Sequence, residues 1–246
     1  MSTADTPQSF RLAYVPGATP AKWVRIWRDR KPDVPLELVP LSVAETASAV
    51  ADGTVDMALT RLPDALSHAD PGPHHSISLY QETTVILVPR DHVLTAGDEL
   101  TLADIAEEQF LWPADEPIAV ADRPGSAVEH RPETTGDAIE LVAAGVGVLL
   151  VPQSLARLHH RKDLVYRPVL DVPTGTVGVL WPDPTTPLVD EFIGIVRGRR
   201  ANSSRGDAEP TPKRSAKEKA AAKRAAREAA GKVPGRGKGT KRRRTR

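Results

Sequence analysis

The chain has no cysteine, so it can form no disulfide, no thiolate nucleophile and no thiolate metal site. Aromatic residues are scarce: four tryptophans, three tyrosines and three phenylalanines in 246 positions. The core must therefore be built chiefly from aliphatic side chains. Long apolar runs are missing as well. The most apolar stretch, "LVAAGVGVLLVP" from Leu141 to Pro152, has twelve residues, whereas a membrane-spanning helix needs about 20. Gly145 and Gly147 interrupt it and Pro152 closes it. It reads as a short helix ending at Gly145 followed by a buried strand, Val146 to Val151. The opening "MSTADTPQS" has neither the basic start nor the apolar stretch of a signal peptide. A soluble, cytoplasmic protein without membrane contact is expected. No H-E-x-x-H, G-x-S-x-G or nucleotide phosphate-loop string occurs. "GRGKGT" (Gly235 to Thr240) lacks the four-residue gap and the Lys-Ser/Thr pair of a phosphate loop. The pairs His74–His75 and His159–His160 are adjacent residues, which on a strand point to opposite faces. No catalysis, metal or cofactor is expected.

Charge is balanced overall but not along the chain. Of 33 basic and 32 acidic residues, sixteen basic and only four acidic ones lie from Ala201 onward. The tail thus carries +12 and the first two hundred residues −11. A split of that size predicts two parts with different tasks. The first part, about 190 residues of mixed composition, is long enough for one domain or two small lobes.

The first part reads as α/β. "FRLAYV" (Phe10 to Val15) alternates as a strand. After "PGATP", Trp23, Ile26, Trp27 and Arg30 fall at helical spacing, with Thr19 at the expected N-cap and Pro20 at the first helical position. "VPLELVPL" is a second strand. "SVAETASAVADG" is a helix with Ser42 and Glu45 spaced as a capping box and Gly53 past its end. "VDMALTRL" is a third strand, apolar enough to be buried on both faces. This βαβαβ start predicts a parallel sheet. Then come one or two strands in "ISLYQETTVILVPRDHVL", a short helix in "TLADIAEE" and a short strand in "QFLW". "PADEPIAVADRPGSA" has three prolines and no period, so it is loop. A strand in "AVEHRPET", helix "GDAIELVAAG", strand "VGVLLVP", helix "QSLARLHH", two strands in "DLVYRPVL" and "TGTVGVLWP", and a last helix in "TTPLVDEFIGIVRGRR" complete the first part.

Several strings, in this order, resemble the effector-binding domain of LysR-type transcriptional regulators. "PGATP" after the first strand is similar to that family's first turn. "PDVPLELV" (Pro32 to Val39) resembles its second strand, and "VADGTVDMALTRLP" (Val50 to Pro63) its passage into the third. "VPRDHVL" (Val88 to Leu94) resembles its hinge string, with Val93 where proline is usual, and "TLADI" follows as is common there. "LVAAGVGVLLVP" is the best match. The resemblance covers roughly residues 9 to 197. It implies a two-lobed, type 2 periplasmic-binding-protein-like fold with two crossovers and a ligand cleft. Lobe I would comprise residues 9–88 and 165–197 and lobe II residues 89–164, with a disordered stretch at 1–8 and a disordered basic tail at 198–246. It also implies a homodimer, paired through the first helix and second strand. Two departures stand out. Family members carry an N-terminal winged helix-turn-helix, and none is expected before Phe10. The segment from Trp112 to Val128 is short and proline-rich where the family often has a longer helix.

Read this way, the cleft would bind a small, anionic or zwitterionic effector. Gly17, Ala18 and Thr19 form a turn at a helix N-terminus, whose free N–H groups suit a carboxylate or phosphate; Thr19 donates to a ligand or simply caps. Thr60 and Arg61 end the third strand, where ligands sit in open α/β sheets; Arg61 pairs with an anion or stays in solvent. Thr134 and Thr135 stand at another helix start, where Thr134 and Asp137 also fit a capping box. Asp137 there disfavours an anion. Val146 and Gly147, in the glycine passage, pack the core or touch ligand with their backbone. Trp112 walls the cleft or covers the core. His92, in the hinge string, is structural.

The tail has no aromatic residue, and Val233 is its only large aliphatic. It cannot bury enough surface to fold alone. "KRSAKEKAAAKRAAREAAGKVPGRGKGTKRRRTR" is similar to the tails of linker histones and of some bacterial chromosome-associated proteins. Lys213, Arg214, Lys217, Lys223, Arg224 and Arg227 lie in its Ala-rich part and Lys241, Arg242, Arg243 and Arg244 in its final cluster. They are expected to contact DNA phosphates without reading sequence, and nucleoid association would follow. A solubility or ribosome-contacting tail is the plainer alternative. Two rival functions remain: an enzyme on a binding-protein-like fold, using Thr19 with Thr135, and a chromosome-associated protein with a degenerate binding domain.

Overall fold

The computed structural model describes residues 9–62 and 74–199. The expected tail from residue 200 onward, the N-terminal 1–8 stretch and the ten candidate DNA-contacting residues lie outside them.

Two sheets organise the chain. The first has five strands in the order β2-β1-β3-β10-β4: β1 Phe10–Tyr14, β2 Leu36–Pro40, β3 Met57–Leu62, β4 His74–Glu82 and β10 Gly175–Pro182. β1 runs parallel to both β2 and β3, as the βαβαβ reading requires. β10 is antiparallel to β3 and β4. Helices α1 (Ala21–Arg30), α2 (Val43–Ala51) and α5 (Pro187–Val196) cover the sheet. Alternation along the strands separates its two faces. Phe10, Leu12, Met57, Leu59, Val177 and Val179 face a core shared with Trp27 and Phe192. Phe10 stacks on Trp27 at 4.7 Å and on Phe192 at 5.3 Å, concentrating three of the few aromatics in one place. Ala13, Ala58 and Leu180 face the other way, against Ala49 and Val50 of α2. The small residues there let α2 approach closely.

The second sheet is β8-β5-β9, with β5 Thr84–Pro89, β8 Leu149–Pro152 and β9 Leu164–Pro168. Central β5 is antiparallel to both neighbours. Its Val85 and Leu87 meet α3 (Thr135–Ala143) and α4 (Gln153–Leu158), while Ile86 and Val88 pack with Ile105, Phe110 and Val169 on the opposite face. A two-strand pair, β6 Gln109–Phe110 with β7 Ser126–Ala127, adjoins this sheet through a bridge from Phe110 to Val148. "AVEHRPET" thus forms strand at Ala127 alone, with the Val128 amide still donating to the Phe110 carbonyl.

The passages between sheets lie elsewhere than at residues 88 and 165. β4 ends at Glu82 and β5 begins at Thr84, so one residue, Thr83, makes the first crossing. The return crossing is 169–174, after β9. β5 and β9 therefore belong to the second sheet: two adjacent apolar strands carry no sequence sign of which sheet they join. The crossings are laced together by Thr84 Oγ1 donating to the Pro173 carbonyl (2.6 Å) and by Thr174 donating to the Gln81 side chain.

The helix ends follow local chemistry. Ser42 and Glu45 form the expected capping box. α1 instead takes Pro20 as its N-cap, and Thr19 makes no capping bond. The Pro20 carbonyl accepts from the Trp23 and Val24 amides, so the helix starts one residue later than its sequence suggests. α3 ends in a Schellman motif: Gly145 (φ +75°) donates to Val142 and Val146 donates to Leu141. α5 ends likewise, with Gly198 (φ +70°) donating to Ile195 and Arg199 to Gly194. Positions 198 and 199, expected to open the disordered tail, thus belong to the helix stop.

Candidate functional site

Arg61, at the end of β3, is the central side chain. Its Nε donates to Glu82 Oε2 at 2.8 Å, its Nη1 to the Pro16 carbonyl at 3.1 Å and its Nη2 to Ser154 Oγ at 3.0 Å. Glu82 ends β4 of the same sheet, Pro16 follows β1, and Ser154 lies on α4 of the second sheet. Both charged side chains are buried. A buried guanidinium needs such a counterion. The anion expected at Arg61 is therefore supplied by the protein. Burial, together with Glu82, also raises the pKa of the Tyr80 phenol above its ordinary value. Gly17 completes the contact. Its φ is +84°, and a Cβ there would lie 2.6 Å from Ser154 Oγ. Only glycine lets the first turn approach α4 this closely.

Two cavities flank this contact. One, about 570 Å³, is walled by Tyr14, Gly17, Ala18, Thr19, Pro40, Ser154, Arg157 and Leu158, with Pro16. The other, about 530 Å³, is walled by Val43, Thr46, Thr60, Arg61, Leu62 and Leu180 from the first sheet and its helix, by residues 116–119, and by residues 173–176 of the return crossing and β10. Cavities of this size suit small molecules. Gly17, Ala18 and Thr19 thus share the first cavity, and Thr60 and Arg61 share the second.

The other sequence candidates line neither of these two cavities. Thr134 and Asp137 form a capping box at α3. Thr135 is buried, and both its amide (2.9 Å) and its hydroxyl (2.8 Å) donate to the Asp115 carboxylate. This helix tip, expected to meet a ligand, is held by an acid of the chain itself. Val146 is exposed, and its amide is used in the α3 stop. Gly147 packs on β6, where a Cβ would lie 2.6 Å from the Gln109 carbonyl oxygen. Trp112 stacks on Phe110 (5.5 Å) and carries the Arg123 guanidinium 4.5 Å above its ring, so it covers the core. His92 accepts from the Leu94 amide and lies 3.5 Å from Glu108, a structural role. Sequence reasoning missed Glu82, Ser154, Asp115 and the 116–119 wall. Glu82 and Ser154 meet Arg61 only through tertiary folding, and the other two lie in a segment without period.

Among the described residues, no cluster of three His, Asp or Glu is placed to hold a metal ion, and no helix is long and apolar enough to cross a membrane.

Two α/β sheets, joined by two crossings with cavities at their contact, make a type 2 periplasmic-binding-protein-like fold of the kind found in LysR effector-binding domains. The model of the LysR substrate binding domain matches residues 9–201, and the chain belongs to that family. It is similar to the HTH-type transcriptional regulator CatR of Pseudomonas putida, 33% identical over 156 residues, covering 58% of this chain and 52% of that protein. It is also similar to the HTH-type transcriptional regulator AlsR of Bacillus subtilis (strain 168), 25% identical over 201 residues, 75% of this chain and 63% of the relative. The chain thus spans about half to just under two thirds of these relatives. Among solved structures, the BenM effector binding domain with its effector benzoate superposes with a TM-score of 0.62 at 20% identity, over 78% of this chain and 91% of that one. The oxidized form of OxyR gives 0.63 at 18% identity, over 78% and 95%.

Proposed function

We propose that this chain senses a small-molecule effector between its two sheets and passes the state of that site on to transcription. The observation that carries the reading is the 530 Å³ cavity, whose walls come from the first sheet and α2, from the loop 116–119 between β6 and β7, and from the return crossing. An occupant there touches parts whose relative placement can change, and a ligand acts only by binding two arrangements unequally. Relatives named as transcriptional regulators, and a similar domain holding benzoate, support it. They equally favour a binding role over an enzymatic one. An anionic effector is better served in the first cavity, where Arg157 shares the wall with Gly17 and Thr19, than at Arg61, whose charge Glu82 already meets. The reading is tested by a metabolite screen scored by thermal shift: a binder at a hundred times its Kd adds about 2.7 kcal/mol of stability. If no compound stabilises the protein, a degenerate domain is the better account; turnover of a compound would instead mark an enzyme.

The same proposal places the protein in the cytoplasm, with its tail on DNA. The +12 charge from Ala201 onward supports phosphate contact by counterion release. DNA affinity should fall steeply with salt and vanish when residues 201–246 are deleted; equal binding by the shortened chain would refute the tail's role. A homodimer through α1 and β2 is supported by β2 being an edge strand with Leu38 exposed. Sedimentation of Leu38→Lys against the parent checks it.

A further inference from the structure

The side-chain hydroxyls and the carboxylate around the 530 Å³ cavity mostly present lone pairs. Thr46 donates its hydroxyl proton to the Val43 carbonyl at 2.8 Å. Thr60 Oγ1 lies 3.2 Å from Thr46 Oγ1 in a buried contact. A hydroxyl has one proton to give. That of Thr46 is directed at Val43, so Thr60 is the donor within the pair and keeps only lone pairs for anything else. Thr174 donates its own proton to Gln81 and is left in the same condition. Glu116 is a carboxylate, which only accepts, and Pro117 and Pro173 have no N–H. Arg61 brings donors to the wall, but three of its N–H groups are bonded to Glu82, Pro16 and Ser154. Thr176 adds a hydroxyl that can serve in either sense. Val43, Leu62, Ile118 and Leu180 supply an apolar wall.

We infer that this cavity takes a compact apolar ligand whose head group donates hydrogen bonds, an amine or an alcohol, in preference to a carboxylate. The inference rests on the effector-sensing reading above. A carboxylate would set its lone pairs against those of Thr60, Thr174 and Glu116. Polar groups left facing each other unpaired are costly. An ammonium or hydroxyl head satisfies them directly. The Glu116 carboxylate also bonds to Arg123 and Arg131, so its charge is shared rather than bare. An uncharged alcohol therefore competes with an amine.

The test titrates the full chain, carrying ¹³C-methyl labels on Ile, Leu and Thr, with benzylamine, benzyl alcohol and benzoate. These share one ring and differ only in the head. The methyl resonances of Thr60, Leu62 and Ile118 should saturate with the amine or the alcohol at a concentration at least about tenfold lower than with benzoate. Thr60→Val keeps the shape and should remove most of that preference. It should fold, because the Thr46 proton already reaches Val43. Benzoate saturating at an equal or lower concentration overturns the inference and leaves effector sensing in place. Shifts confined to Thr19 and Leu158, which wall the other cavity, also overturn it. So does the lack of any saturable shift from all three probes. If a broad metabolite panel leaves the same methyls unmoved, the effector reading falls with it.

Discussion

Arg61 and Glu82 form an ion pair of 2.8 Å with side chains 7% and 4% exposed, and the same guanidinium reaches across to Ser154 on the second sheet's α4. One cation thus binds a strand end to its own sheet and to the other lobe. Breaking such a pair leaves a charge buried without a partner. Glu82→Gln is expected to lower unfolding stability by about 3 kcal/mol. Arg61→Met with Glu82→Leu, which removes both charges, should recover most of the loss. Urea unfolding of the parent, the single and the double variant makes the comparison. A single variant as stable as the parent would show that the pair contributes little.

Asp115 takes the place of a ligand at the tip of α3, accepting from the Thr135 amide and hydroxyl. Asp115→Ala is expected to cost about 1 kcal/mol, the usual value of a capping acceptor. Amide hydrogen exchange should quicken at Thr135 and Gly136 before it does in the β5 core. Unchanged exchange there would show that the Thr134–Asp137 capping box holds the helix alone.

Gly17 and Gly53 both have positive φ, +84° and +73°, but only Gly17 has neighbours where a Cβ would stand. Gly53→Ala should cost about 1 kcal/mol, the strain of a left-handed alanine alone. Gly17→Ala adds a collision with Ser154 and should cost distinctly more. Ser154→Ala in the Gly17→Ala background should recover part of it, since Oγ is the nearest atom at 2.6 Å and Cβ follows at 3.1 Å. Equal thermal midpoints for the two glycine variants would contradict the close approach.

The acid limb of stability should reflect exposed local hydrogen bonds. Glu45 is held below its ordinary pKa by the Ser42 hydroxyl and amide, Asp52 by those of Thr54, and Asp104 by those of Thr101. Each binds its proton less readily folded than unfolded. The stability they confer is therefore complete above the unfolded pKa values, near about 4, and is lost as pH falls through the lower folded values. Urea midpoints measured from pH 6 downward should decline below that point. Glu45→Gln should make the decline shallower and leave the midpoint's pH dependence above pH 6 unchanged.

The parts of the fold set by neighbours in sequence were legible. The alternation of "FRLAYV", the Ser42–Glu45 and Thr134–Asp137 spacings and the glycine stop at Gly145 depend on residues a few positions apart, and each formed as read. Thr19 misled because a threonine before proline fits an N-cap, yet the Pro20 carbonyl already accepts the first helical bonds. The site was legible only as a set of elements. Arg61 could be placed at a strand end, but its acceptor Glu82 is 21 residues away on a strand separated from β3 by β10. Nothing local announces that a late strand will be inserted between two early ones. Asp115 reaches Thr135 from a proline-rich loop that has no period to read.

Thr83 alone joins the sheets on one side, and the return path is stitched to it by Thr84 with Pro173 and Thr174 with Gln81. So fastened, the two halves have one short axle rather than two loose straps. Displacement about an axle grows with radius. Spin labels set beside Thr83 should record little separation on effector binding, while labels on remote loops of the two lobes record most of it; stillness at the axle says nothing about whether the rim has turned.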